Sequence, residues 1–129
     1  MAKLLGPNES NERPTVVLVD DDAAVLTSLK FALELEGFTV AAYANAEDLL
    51  ADGVKTASCF VVDYHLPGAN GLELLSRLRQ RGYSTPVILI TSNPTRLLTN
   101  RAREAGAAIV EKPLIGNNLI DAIRASVNQ

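Results

Sequence analysis

The chain has 129 residues, of which 47% are hydrophobic and 21% are charged, and its net charge at pH 7 is -3. This composition predicts one globular domain, large enough to bury a core without disulfides or a structural metal. The twelve Lys and Arg residues are scattered, which argues against direct binding of nucleic acid. No apolar stretch is long enough to span a membrane. Cys59 is the single cysteine, and we expect it to be buried and reduced in a cytoplasmic protein.

The first part of the chain, residues 1–13, is polar and contains Gly6 and Pro7. This composition predicts a flexible N-terminal tail without a packed role. Residues 14–129 are predicted to form the domain. Because the last apolar helical pattern ends near Val127, we expect no effector domain after it.

From Thr15 onwards, short apolar runs of strand length alternate with segments whose apolar residues recur at helical spacing. Strands are predicted at Val16–Val19, Phe38–Ala42, Cys59–Val62, Val87–Ile90 and Ala108–Val110. Helices are predicted from about Val25 to Leu33, from Asn45 to Ala51, from Gly71 to Gln80 with Leu72, Leu75 and Leu78 inward, from Thr95 to Ala105, and through Leu119 to Val127. Such alternation implies an α/β fold in which right-handed crossovers place helices on both faces of a parallel sheet.

Four of the apolar runs are followed by a polar or charged residue: Asp20, Asp63, Thr91 and Lys112. If these runs are parallel strands, their ends meet at one edge of the sheet. In a sheet of order 2-1-3-4-5, ligands bind beyond the carboxyl ends of strands one and three. Asp20 and Asp63 end those two strands, so the pattern predicts a site for phosphate and a divalent metal ion.

Three acidic residues, Asp20 to Asp22, follow the first strand. Asp22 is suited to cap the next helix, which leaves Asp20 and Asp21 to face Asp63. Carboxylate oxygens are ligands that Mg²⁺ prefers. The alternative is that the three acids form a solvated cap and loop.

A carboxylate beside a metal ion can also attack a phosphoryl group and form an acyl phosphate. Lys112 is predicted to share the stabilisation of the phosphoryl charge. Its alternative is an ordinary surface charge at a strand end. The hydroxyl of Thr91 could likewise serve only as a strand-end cap.

The chain resembles the receiver domains of two-component response regulators, a family with a flavodoxin-like fold. Four motifs carry the resemblance: VVLVDDD at 16–22, VVDYHLPGANGLELL at 61–75, VILITS at 87–92 and EKP at 111–113. The resemblance extends from Thr15 to the C-terminus. It implies a phosphorelay module that catalyses only its own phosphorylation and dephosphorylation, rather than an enzyme with a separate substrate.

The resemblance also implies a role for each site residue. Asp63 would accept a phosphoryl group from a phosphohistidine on a sensor kinase or phosphotransfer protein. Asp20, Asp21, Asp63 and the backbone carbonyl of His65 would hold Mg²⁺. Lys112 and Thr91 would contact the phosphoryl group, and the peptide bond between Lys112 and Pro113 would be cis.

The chain departs from the family pattern at Ile109, where the family usually has a Tyr or Phe three residues before the lysine. We therefore expect the output to depend less on this residue and more on movement of the fourth helix. His65 and Asn93 are predicted to tune the lifetime of the acyl phosphate, although His65 could equally be a solvated loop residue. The output surface is expected around helix four, strand five and helix five, near Leu114 and Ile115.

Two other classes of function fit the same residues. One is a magnesium-dependent phosphohydrolase that turns over a substrate through an aspartyl phosphate, although the chain is short for a substrate-specificity domain. The other is a degenerate receiver that binds an unknown protein target without phosphorylation. The complete set of site residues argues against the second.

Overall fold

The computed structural model describes residues 13–53 and 56–128. Its five strands are β1 (Thr15–Val19), β2 (Thr39–Tyr43), β3 (Cys59–Asp63), β4 (Val87–Thr91) and β5 (Ala107–Glu111). The helices between and after them are α1 (Ala23–Leu35), α2 (Ala46–Asp52), α3 (Gly71–Gln80), α4 (Arg96–Glu104) and α5 (Asn118–Val127). The predicted α/β alternation is confirmed. The predicted tail, apart from Arg13, lies outside the described residues.

All strand pairs are parallel, and the sheet order is β2-β1-β3-β4-β5. This is the order 2-1-3-4-5 that was predicted, and the flavodoxin-like fold is confirmed. Strands β3 and β4 are buried along their whole length, which is why their sequences are continuously apolar rather than alternating. The polar residues that follow β1 and end β3 and β4 consequently lie along one edge of the sheet.

The sheet separates two apolar cores because successive strand side chains point to opposite faces. On one face, Val17 and Val19 of β1 pack with buried residues of α2, α3 and α4. On the other face, Val16 and Leu18 pack with residues of α1 and α5. Helices therefore cover both faces, as the sequence predicted.

Some local predictions need correction. In α3 the buried leucines are Leu74, Leu75 and Leu78; Leu74 was not predicted, while Leu72, predicted to point inward, is half-buried and packs against the same core. Strand β2 begins one residue later than predicted because its pairing with β1 starts at Thr39, and Phe38, directly before the strand, is buried in the core. Strand β5 is longer than predicted at both ends because all five residues from Ala107 to Glu111 pair with β4.

Side-chain caps define where several helices begin. Asp22 accepts hydrogen bonds from the backbone N–H groups of Ala24 and Val25, which confirms its predicted capping role. Asn45 and Asn70 cap α2 and α3 in the same way. Within the described ranges, no helix has the length and apolar character needed to cross a membrane.

Candidate functional site

Three carboxylates meet at the carboxyl edge of the sheet. Asp20 directly follows β1, Asp63 is the last residue of β3, and Asp21 lies in the loop between β1 and α1. One oxygen from each lies within 4.8 Å of the others. Asp20 and Asp63 are only 7% and 5% exposed, while Asp21 is exposed. The three acids therefore form one cluster across adjacent strands, as expected from the topology.

The loop after β1 fixes the orientation of Asp20. Its Oδ1 accepts a hydrogen bond of 2.9 Å from the backbone N–H of Asp22. Burial raises the pKa of the Asp20 carboxyl, and repulsion from Asp63 and Asp21 adds to the rise, although the Asp22 N–H and Lys112 act against it. Asp20 is thus a desolvated carboxylate with like charges beside it, a state that a bound cation would relieve.

Lys112 provides the positive charge nearest to Asp63. Its Nζ lies 3.2 Å from Asp63 Oδ1, and the lysine side chain is 37% exposed against 7% for the aspartate. The same oxygen accepts a hydrogen bond of 3.3 Å from the backbone N–H of His65. The peptide bond between Lys112 and Pro113 is cis, as the resemblance implied. Asp63 is therefore held on one oxygen by two donors.

Thr91 ends β4 and is completely buried. Its Oγ1 accepts a hydrogen bond of 3.2 Å from the N–H of Asn93, and its carbonyl accepts one of 2.9 Å from the N–H of Lys112. In the neighbouring strand, Asp63 pairs with Ile90, the residue before Thr91. Backbone pairing therefore positions Thr91 between the strand of the central aspartate and the segment that carries the lysine.

One residue that the sequence analysis did not assign to the site is Gly71, the first residue of α3. Its N–H donates a hydrogen bond of 2.8 Å to the carbonyl of Tyr64, which closes the loop after β3. A Cβ at this position would lie 3.0 Å from Tyr64 Cα and from Leu89 Cδ2. Close packing against the segment that follows Asp63 therefore favours glycine here, because a side chain would force its neighbours to shift. A glycine at a helix start was the only available signal, and it does not by itself distinguish packing from capping.

The acidic cluster could hold a metal ion. All of its ligand atoms are carboxylate oxygens within 4.8 Å of one another, and hard oxygen donors suit Mg²⁺ rather than softer metals. The partial burial of Asp20 and Asp63 favours charge compensation by a cation. The donor chemistry therefore fits the metal implied by the resemblance.

An open recess lies beside the site on the side of Lys112. Val25 of α1, Ser92 after β4, and Pro113 and Leu114 after β5 line it together with Lys112, and its surface is largely apolar. The ammonium group of Lys112 is thus reachable from solvent. A partner that approaches this side would meet apolar side chains around the charged centre.

The sheet order and the acidic cluster at its carboxyl edge define a class of protein, and comparison with known proteins identifies that class. The sequence model of the response regulator receiver domain matches residues 16–124. The chain belongs to this family and is a receiver domain, a signalling module of two-component systems.

Individual relatives agree with the family assignment. The chain is 40% identical over 116 residues to the transcriptional regulatory protein FixJ of Azorhizobium caulinodans, covering 88% of this chain and 55% of that protein. The chain thus spans about half the length of this curated relative. A CheY-like receiver domain from Methanospirillum hungatei superposes with a TM-score of 0.83 at 28% identity over 91% of this chain and 95% of that one. Full-length FixJ of B. japonicum gives 0.82 at 30% identity, covering 92% and 60%.

Proposed function

We propose that Asp63 accepts a phosphoryl group in a magnesium-dependent reaction and that the resulting charge switches a protein-interaction surface. The observation that carries this proposal is the environment of the Asp63 carboxylate. Two donors, Lys112 Nζ at 3.2 Å and the His65 N–H at 3.3 Å, engage Oδ1. Among the described residues, none donates to Oδ2. The engaged oxygen orients the group, and the other is available as a nucleophile.

The proposed transfer exchanges one bond to phosphorus for another. A lone pair on Asp63 Oδ2 attacks the phosphorus of a phosphohistidine, the O–P bond forms, and the N–P bond breaks with its electrons returning to the imidazole nitrogen. Asp20, Asp21, Asp63 and the carbonyl of His65 would hold Mg²⁺, which supplies neutralisation of charge on the phosphoryl oxygens. The Lys112 ammonium shares that work from the other side of Asp63.

Thr91 is proposed to report the phosphoryl group. Its oxygen accepts from Asn93, so its own hydroxyl hydrogen can be donated to a phosphoryl oxygen. Such a charge-assisted hydrogen bond contributes roughly 1.5 to 3 kcal/mol, whereas an almost complete population switch needs about 5.5 kcal/mol. The ion pair from Lys112 and the repacking of nearby loops must contribute the remainder.

The partners follow from this chemistry. The proposed phosphoryl donor is a sensor histidine kinase or a phosphotransfer protein. The proposed downstream partner is a protein target that binds the surface formed by α4, β5 and α5. Ile115, after β5, is 65% exposed there, while Leu114 is half-buried. We propose no direct contact with nucleic acid or membrane and a cytoplasmic location, where ATP-dependent kinases act.

Incubation with a small acyl phosphate and Mg²⁺, followed by intact-mass measurement, tests the proposal. We expect one phosphoryl group per chain in the wild type and none in Asp63→Asn. Asp52→Asn is a matched control, since Asp52 is an exposed aspartate at the end of α2, and it should retain the adduct.

The same measurement separates the two other classes of function. Release of phosphate over many turnovers, without an accumulating adduct, would indicate a phosphohydrolase instead. A wild-type chain that gains no phosphoryl group would indicate a degenerate receiver. An adduct that persists in Asp63→Asn would contradict the assignment of the acceptor.

A further inference from the structure

The basic residues of the chain are concentrated in one part of the fold. Residues 71–106, which form α3, β4, α4 and their connections, contain six arginines and two glutamates and therefore carry a net charge of +4. The rest of the chain contains six basic and thirteen acidic residues, which give a net charge of -7. The expectation of scattered basic residues is thus wrong for half of them, because the whole-chain charge conceals two regions of opposite sign.

Helix α4 carries three arginines that the fold leaves unpaired. Arg96, Arg101 and Arg103 are all exposed. Within the described ranges, none of them takes part in an ion pair or a side-chain hydrogen bond. In α3, by contrast, the guanidinium group of Arg79 donates hydrogen bonds to four backbone carbonyls. The arginines of α4 are therefore available to a partner.

The positive charge of Arg96 does not stabilise its own helix. Arg96 is the first residue of α4, and the first turn contains no acidic residue. Positive charge is unfavourable near a helix N-terminus and favourable in the last turn, where Arg101 and Arg103 lie. The helix thus accounts for the positions of those two arginines but not for Arg96. An acidic side chain of a partner beside Arg96 would offset the unfavourable interaction.

A leucine is exposed among these arginines. Leu97 is 61% exposed, and Arg101, four residues further along, is its neighbour on the helix surface. Leu98 and Ala102 already bury α4 against the core, so Leu97 is additional to the face that the fold requires. We call the following four residues the α4 basic face: Arg96, Leu97, Arg101 and Arg103. This face offers an apolar contact surrounded by positive charge.

Two acids lie close to the α4 basic face but do not neutralise it. Glu104 is the last residue of α4, and Glu111 is the last residue of β5, which α4 contacts. Both are exposed, and neither forms an ion pair within the part of the chain that the structure describes. Arg96, Asn100 and Arg103 follow one another at helical spacing on the surface, in a row without an acidic residue. The row therefore complements negative charge.

We propose that the α4 basic face binds an acidic protein segment that presents an apolar side chain to Leu97. Asp or Glu residues of the segment would pair with the arginines, and its apolar side chain would bury the exposed part of Leu97. A nucleic acid fits less well, because it gains nothing from Leu97. In addition, α4 begins five residues after Thr91, at the edge of the sheet where the acidic cluster would repel phosphates.

The α4 basic face belongs to the proposed output surface. Its role in signalling therefore rests on the proposed function, whereas its preference for an acidic segment rests on the charges and exposure of α4 alone. The two can be tested separately.

Fluorescence anisotropy with a synthetic peptide tests the proposal on the full chain. The acidic probe is a blocked, dye-labelled peptide whose leucines recur at helical spacing and whose other residues include several glutamates. Two matched probes replace every Glu by Gln or every Leu by Ser. We expect saturable binding of the acidic probe and about tenfold weaker binding of each matched probe. Added salt should weaken binding of the acidic probe, because it screens the charges.

Arg96→Glu separates binding from stability. The substitution places an acid in the first turn of α4, so the Tm should stay the same or rise. The Kd of the acidic probe should increase about tenfold, because repulsion replaces attraction. Arg13→Glu is the matched control, since Arg13 is an exposed arginine before β1 and its reversal changes the net charge equally. It should leave the Kd close to that of the wild type.

Leu97→Ser tests the apolar contact. The Kd of the acidic probe should increase about tenfold, because the apolar surface buried on binding is lost. Phe31→Ser is the matched control, since Phe31 is a comparably exposed apolar residue, at 65%, on α1. It should leave the Kd unchanged. An unchanged Kd in Leu97→Ser would contradict the contact.

Other occupants of the α4 basic face would be recognised in the same experiments. Tighter binding of a short DNA duplex than of the acidic probe, lost in Arg96→Glu, would overturn the proposal in favour of a nucleic acid. Self-association of the wild type in sedimentation, abolished in Arg96→Glu, would overturn it in favour of a second copy. Absence of saturable binding, equal binding of the acidic and Gln probes, or a wild-type Kd in Arg96→Glu would overturn it as well.

Phosphorylation distinguishes failure of this proposal from failure of the proposed function. Each Kd is measured before and after treatment with the small acyl phosphate and Mg²⁺, and intact mass reports the phosphoryl group. Equal binding of the acidic probe in both states would contradict the proposed switch and still support the α4 basic face.

Discussion

Replacing Asp20 with asparagine should make the metal-free protein more stable. Asp20 and Asp63 are both buried and have oxygens within 4.8 Å. At an effective dielectric constant of about 20, two like charges at this distance repel by about 3 kcal/mol. The substitution also weakens the hydrogen bond from the Asp22 N–H and loses the attraction to Lys112, which offset part of the gain. We expect a net increase of about 1 to 2 kcal/mol.

Thermal unfolding with a chelator present measures this gain. The expected increase corresponds to a rise in Tm of roughly 4 to 8 °C for a domain of this size. Adding Mg²⁺ should make the Tm of the wild type higher than that of Asp20→Asn, since a ligand at 100 times its Kd stabilises the folded state by about 2.7 kcal/mol. We expect that stabilisation in the wild type and little of it in Asp20→Asn.

The pH dependence has a definite sign. The folded-state pKa of Asp20 is raised, so ionisation of this group destabilises the fold at neutral pH. The penalty is absent below the ordinary aspartate value of about 3.9 and develops as the pH rises through the folded-state pKa. Without metal, the advantage of Asp20→Asn should therefore shrink as the solution is acidified.

Asp22→Asn is the control for this experiment. It removes a carboxylate from the neighbouring position but keeps a side chain that caps α1 well, and Asp22 is not among the three clustered acids. Its stability and its response to Mg²⁺ should stay close to those of the wild type. The reasoning fails if Asp20→Asn is destabilised without metal, or if Mg²⁺ stabilises it as much as the wild type.

Five further substitutions test other parts of the structure. Gly71→Ala should lower the free energy of unfolding measured in urea by about 1 to 3 kcal/mol, because its Cβ would meet backbone at 3.0 Å. Alanine is the better helix former, so a higher free energy of unfolding would show that helix propensity outweighs this contact and would contradict the prediction. Asn70→Ala should remove about 1 kcal/mol through loss of its capping box, whereas Asn117→Ala should change stability less, since Asn117 makes no side-chain cap bond. His65→Ala should alter the dephosphorylation rate; an unchanged rate would support a solvated loop role. Ile109→Ala should retain phosphorylation-dependent partner binding, and loss of binding with phosphorylation intact would refute the expected reliance on α4.

The strand ends were predictable because a few consecutive residues in the sequence are enough to indicate each of them. An apolar run that stops at Asp20, Asp63 or Lys112 indicates both a buried strand and a polar edge, and parallel topology brings such edges together. The pairing of Lys112 with Asp63 across 49 positions of sequence follows from that topology. The particular oxygen engaged, and the second donor from His65, depend on loop conformation that spacing does not specify.

Features that depend on distances between elements of the folded structure were harder to predict from the sequence. Leu72 and Leu74 both contact the core, and only the orientation of α3 against the sheet makes Leu74 the fully buried one of the two. The close approach at Gly71 depends on the distance between α3 and β4. The exposure of Phe31 could not be inferred either, since an aromatic residue within an apolar helix is usually part of the core.

The site is dispersed along the chain, from residue 20 to residue 112, and its side chains come from the ends of four different strands, β1, β3, β4 and β5. No fragment of the sheet contains a working subset of it. Because small domains fold and unfold cooperatively, competence to be phosphorylated should appear and vanish together with the whole fold. A nascent or partly degraded chain would therefore not be phosphorylated. Signalling would then be restricted to fully folded molecules without a separate mechanism to exclude the others.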